Sequence, residues 1–108
     1  MLNATLTIKR GDTLALDCQL LDGATPVDMT GWQIDCWVRD GAARVVHRFA
    51  AAITDAAQGR YLLPAASAVT RAWPVGRLDT DIRYQDGAGT VMHTCTLQLH
   101  VADTVTVP

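Results

Sequence analysis

Residues 10 to 12 read Arg10-Gly11-Asp12, a cation and a carboxylate on either side of a flexible hinge, the tripeptide that cell-adhesion receptors read on matrix proteins. It lies between "TLTI" and "LALDCQL", where the chain must leave one strand and enter the next. Gly accepts the positive φ such turns often need and Asp12 can hydrogen-bond the backbone near Thr13, so a structural turn is expected rather than an adhesion signal. Asp79 and Asp81, two apart on an extended segment, put two carboxylates on one face, with Asp86 in the turn beyond. Such a pair could hold calcium or divide acid and base roles. Calcium, however, wants six to eight oxygens, and glycoside hydrolysis wants a supporting scaffold that no other motif supplies. Acids facing Arg39 or Arg83 across strands are the more ordinary arrangement.

His93 precedes Cys95 by two and shares its face, and with Cys18 and Cys36 a zinc site is conceivable. Zinc sites usually come from closely spaced pairs, so scattered cysteines fit core positions better. Their odd number and the lack of a C-x-x-C pair argue against a disulfide framework. Cys18, Trp32 and Cys95 partly match the cysteines and tryptophan of immunoglobulin domains, a Cys18–Cys95 bridge being the implied pairing, but His93 stands where their corner tyrosine would be. Ser67 is the sole serine and lies in an alanine-rich turn without a nucleophile-elbow pattern, with His47, His93 and His100 distant in sequence. No catalytic, cofactor-binding or metal residue is expected, and none is assigned. The aromatic residue singled out is Trp37, because alternation points it away from Ile34, Cys36 and Val38. An outward Trp suggests contact with a sugar or another protein, unless a loop covers it.

The elements that position these residues are strands. The acids are eleven Asp without Glu and the bases eight Arg with one Lys, while thirteen Thr and ten Val favour extended chain. In "TLALDCQLL", Leu14, Leu16, Cys18 and Leu20 alternate with Ala15, Asp17 and Gln19 in period two. In "WQIDCWVRD", Trp32, Ile34, Cys36 and Val38 follow the same period, and the turn signals of "DGATPVDMTG" lie between the two. Val45 to Phe49 and "GRYLLP" read as further strands, and the alanines of "FAAAITDAA" as one or two helical turns. "AASAVTRAWPVG" reads as a short helical turn ending before Pro74 that sets Val69 and Trp73 over the core. "RLDTDIRYQDGAGTVMHTCTLQLHV" reads as a hairpin: Leu78, Thr80, Ile82 and Tyr84 face the core, and Val91, His93, Cys95, Leu97, Leu99 and Val101 return along the same face. "VADTVTVP" continues the alternation through Val105 and Val107, an apolar strand suited to a neighbour's sheet edge.

With 108 residues, 49% apolar and 19% charged, the chain fits one globular domain over residues 1 to 108. No apolar run approaches the roughly 20 residues of a membrane helix. A net charge of -2 gives no field for nucleic acid. The N-terminus lacks the pattern of a secretory signal, so residence in the cytoplasm of the producing cell is expected. The expected fold is all-β: an immunoglobulin-like antiparallel two-sheet sandwich of about seven strands, with one short helical turn near residues 65-73.

The ordered set of an "IKRGDT" entry turn, Pro26-Val27-Asp28-Met29-Thr30-Gly31, Gly59-Arg60-Tyr61, the run from Trp73 to Ile82 and the strand from Thr94 to Val101 resembles one known family. It is the β-sandwich domain at the N-terminus of tailed-phage baseplate upper proteins, found also in stand-alone phage and prophage virion proteins. The resemblance implies a non-enzymatic structural protein, a tail or baseplate adaptor, with capsid decoration as the neighbouring alternative. It implies other virion proteins and further copies of the chain as partners, neither nucleic acid nor membrane, and assembly into virions in the host bacterial cytoplasm. Candidate contact residues are Trp37, Val101, Val105 and Val107. A carbohydrate-binding sandwich using Trp37 and Trp73, and an enzyme built on Asp79 and Asp81, are the competing readings.

Overall fold

The computed structural model describes residues 5 to 94 and 96 to 107. Its strands are β1 (Thr5–Lys9), β2 (Leu14–Gln19), β3 (Leu21–Asp22), β4 (Thr25–Pro26), β5 (Gln33–Arg39), β6 (Val45–Phe49), β7 (Ala52–Asp55), β8 (Arg60–Ala65), β9 (Gly76–Gln85), β10 (Val91–His93) and β11 (Leu97–Ala102). A 3-10 turn (Ala56–Gln58) and one helical turn, α1 (Ser67–Thr70), complete it. The larger sheet runs β1-β11-β9-β5-β6, with β10 also on β9; the smaller runs β2-β8-β7, and β3 pairs with β4.

Alternation sets the faces as expected on β2, β5 and β9. Ile34, Cys36 and Val38 on β5 and Leu78, Ile82 and Tyr84 on β9 are buried against Tyr61, Leu63 and Ala65 of β8, in one core. The α1 turn falls within the expected window; Trp73 beyond it is buried, with its ring 6.3 Å from Phe49 and 5.5 Å from His47. The "FAAAITDAA" stretch differs from expectation. Only its last part is helical, while Ala52–Asp55 forms β7, an exposed edge strand on β8.

Two of the turn motifs have clear causes. In the Pro26 to Gly31 turn, Asp28 Oδ1 accepts the Thr30 backbone N–H at 2.9 Å and the Thr30 hydroxyl at 2.6 Å, Gly31 sits at φ 77°, and Met29 is driven fully into the core. At Gly59, φ is 65° and an added Cβ would lie 2.7 Å from the carbonyl oxygens of both Leu20 and Val27. Only glycine lets β2, the 26 to 31 turn and β8 meet there.

Three expectations need correction. The sandwich is not wholly antiparallel: β1 runs parallel to β11. No hairpin joins these strands, so no tight turn dictates their direction, and the parallel register sets Ile8 beside Val101 with both buried. Next, the returning strand is two strands. His93 pairs with Arg83 but Leu97 pairs with Thr80, so the returning chain advances four residues while β9 advances three. One extra residue reverses the side-chain faces. Leu99 and Val101 are therefore buried, while Val91 and His93 are exposed. Finally, β11 ends at Ala102, and residues 103 to 107 form no strand. Val101 is only 3% exposed and is thus a core residue rather than a contact residue, whereas Val105 is 93% and Val107 62% exposed.

Candidate interaction face

The outer face of the larger sheet carries the polar residues that alternation removed from the core. Gln33, Asp35, Trp37 and Arg39 of β5 stand beside Asp79, Asp81 and Arg83 of β9, with His93 and Thr96 at the border, around a groove of about 690 Å³. Register fixes this grid: Asp35 lies opposite Arg83, Trp37 opposite Asp81, and Arg39 opposite Asp79. Asp35 and Arg83 form an ion pair at 3.5 Å, and Asp79 meets Arg77 of its own strand at 3.2 Å. Of the two acids expected to face Arg39 or Arg83, Asp79 stands opposite Arg39 but bridges Arg77, and Asp81 stands opposite Trp37; the acid bridged to Arg83 across strands is Asp35.

Trp37 stands at the centre of the face, 39% exposed. Arg48, its partner on β6, lays its guanidinium over the indole at 4.2 Å, and Arg39 approaches at 5.6 Å. These cations hold the ring in place. Alternation alone located Trp37. Arg48 was missed, because its pairing with Trp37 depends on a bulge in which β6 uses an extra residue opposite Val38 and Arg39.

The Arg10-Gly11-Asp12 turn is bound into the fold. The Arg10 guanidinium donates two hydrogen bonds to Arg71 O at 3.2 Å, and the Gly11 N–H donates to Thr70 Oγ1 at 3.1 Å. The Thr70 hydroxyl donates to Asp12 O at 2.6 Å, and Asp12 Oδ2 accepts the Lys9 N–H. Ser67, a member of the conceivable triad, donates its hydroxyl to Gly11 O at 2.6 Å. The α1 turn and the 10 to 12 turn therefore clamp each other. The side chains of Arg10 and Asp12 are both engaged by the backbone of the fold.

The conceivable metal site comes apart for a geometric reason. Cys18 and Cys36 face the interior, where they line an apolar cavity of about 140 Å³ with Leu6, Leu16 and Leu99, whereas His93 faces outward. Cys95 lies outside the described residues, and with it the Cys18–Cys95 pairing. Among the described residues no three His, Cys or Asp side chains gather to hold a metal ion. Burial pushes both thiols above the ordinary cysteine value, in Cys36 against the opposing effect of its hydrogen bond to Thr80. They stay protonated and weakly nucleophilic. Beside them, the Tyr61 and Tyr84 hydroxyls meet at 2.6 Å, and burial pushes both phenols up. Trp73, offered with Trp37 as a sugar platform, is only 2% exposed and cannot serve as one.

No family model and no curated protein sequence matches the chain. Solved structures do share its fold. The structure of CopC from Methylosinus trichosporium OB3b is similar at a TM-score of 0.62 and 11% identity, over 97% of this chain and 90% of that one. The N-terminal domain of phage TP901-1 ORF48 is similar at a TM-score of 0.60 and 16% identity, over 92% of this chain and 93% of that domain. At such identity the likeness is one of fold, and one fold hosts many functions.

Proposed function

We propose that this chain is a non-enzymatic structural module of a tailed-phage or prophage particle, a tail or baseplate adaptor that works by protein–protein assembly. The observation that carries the assembly reading is Trp37, held by Arg48 and Arg39 at the centre of a sheet face that no element among the described residues covers. The exposed Val105 and Val107 add a second uncovered apolar element. The phage setting draws on the ordered turn motifs, which here have defined structural tasks, and on the fold shared with the phage domain. The strand order β1-β11-β9-β5-β6 over β2-β8-β7 supports an immunoglobulin-like sandwich whose larger sheet is extended at both edges.

Two residues offered to chemistry also have structural work that fits this reading: Ser67 ties down the 10 to 12 turn, and Asp79 pairs with Arg77. Sugar binding is the weaker reading, since Arg48 already occupies a face of the Trp37 ring.

The test is density-gradient sedimentation of particles released from the producing cells, with an antibody against this chain. The chain is expected to co-sediment with intact particles and stay with them through a salt wash. Its confinement to the soluble fraction while other particle proteins sediment would overturn the proposal.

A further inference from the structure

The six positions at the middle of the exposed face form a charge pattern that is complementary to itself. Along β5, Asp35 and Arg39 stand two residues to either side of Trp37; along β9, Arg83 and Asp79 stand two residues to either side of Asp81, the partner of Trp37. The outer rows are therefore Asp35 with Arg83 and Arg39 with Asp79, opposite in sign along each strand. A two-fold axis lying in the interface across the Trp37–Asp81 row exchanges them. It lays Asp35 of one copy over Arg39 of the other, and Arg83 over Asp79, each contact occurring twice. An axis along the strands midway between β5 and β9 would instead set Asp35 over Arg83 and Trp37 over Asp81. Charge is complementary in both aligned packings, and the first is the one that brings the two indoles together.

We infer that the face binds a second copy of this chain in that arrangement, with the two indoles meeting on the axis. The inference rests on the assembly reading and deepens it by naming the partner. The row on the axis faces itself. There Arg48, laid over its own indole, and Asp81 are both brought against their own copies.

Two paired substitutions test this without losing the cross-strand charge partners inside a monomer. Asp35→Arg with Arg83→Asp keeps the first row oppositely charged but sets like charges across the interface. Arg39→Asp with Asp79→Arg does the same from the other row. Sedimentation equilibrium of the full chain at low salt should show a wild-type dimer and, for each double variant, dissociation at least about 100-fold easier, since like charges across an interface cost several kcal/mol. Mixing the two variants should restore the dimer as a one-to-one pair, because every interfacial contact is then oppositely charged. Asp81→Asn should tighten the wild-type dimer. Circular dichroism melts establish that each variant is folded.

A wild-type chain that is monomeric at every concentration overturns the inference. So does a dimer that both double variants retain, or a mixture of monomeric variants that fails to reassemble. None of these outcomes touches the sedimentation of the chain with particles, which tests the broader reading separately.

Discussion

Replacing Tyr61 with Phe removes one of two hydroxyls that meet at 2.6 Å between the sheets. The rings, 5.9 Å apart and edge to face, keep their packing, so the substitution isolates the polar contact. A typical net hydrogen bond is worth about 1 kcal/mol, but a buried hydroxyl left without its partner costs about 1–3 kcal/mol, whereas removing both partners at constant shape is nearly neutral. Tyr61→Phe should therefore cost about 2 kcal/mol. Tyr84→Phe should cost less, because the Tyr61 hydroxyl also interacts with the Cys18 thiol and keeps a partner. The double variant should fall well short of the sum, giving an interaction energy of about 1–2 kcal/mol. Urea unfolding of the four proteins at pH 7 and one fixed protein concentration measures it, the fixed concentration removing any contribution of self-association. Additivity within about 0.3 kcal/mol would refute the claim that the two hydroxyls satisfy each other.

The same pair makes stability sensitive to alkali. The phenols are raised in the folded state, so the unfolded chain loses its protons first; the stabilisation is complete below pH 10 and declines above it. By pH 11 the Tyr61 contribution alone should remove about 1.4 kcal/mol, and the double Phe variant should show a shallower decline in melting temperature over that range. Gly59→Ala should destabilise by about 2–4 kcal/mol in urea unfolding, because positive φ and two carbonyl clashes add, and a cost under 0.5 kcal/mol would deny that close approach. Met29→Ala should cost about 2–5 kcal/mol as a cavity in the core, read from the thermal midpoint. Thr70→Val keeps shape but strips the hydroxyl that serves both Gly11 and Asp12, so a loss of about 2 kcal/mol is expected, with faster amide exchange at Gly11; unchanged exchange there would mean that the clamp is not what holds the turn.

Much of this was legible in the sequence because one side of each main strand is wet. Period-two alternation placed Ile34, Cys36 and Val38 inward and Trp37 outward, and the same rule worked on β2 and β9. It failed where pairing, not pattern, decides. From Val91 to Val101 the apolar alternation is unbroken, yet one extra residue against β9 turns Val91 and His93 outward and leaves Leu99 and Val101 inside. Val105 and Val107 keep the alternation but pair with no strand among the described residues, so propensity alone makes no sheet there. β7 carries no alternation, being exposed along its whole length, and only its bonds to β8 define it. The site was legible through Trp37 and through Asp79 and Asp81 on one face of their strand. Arg48 and the charge grid depend on cross-strand register, which composition does not encode.

The slip between β10 and β11 also divides the labour of evolution along one continuous stretch of chain. β11 is tied to the interior, so substitutions at Leu99 or Val101 are screened first by folding. Val91, Met92 and His93 on β10, all exposed, are free of that screen and can drift toward new neighbours at little cost in stability. A protein built this way can change what it touches along the β9–β10 arm while its scaffold stays fixed, and related chains with different neighbours should diverge most there.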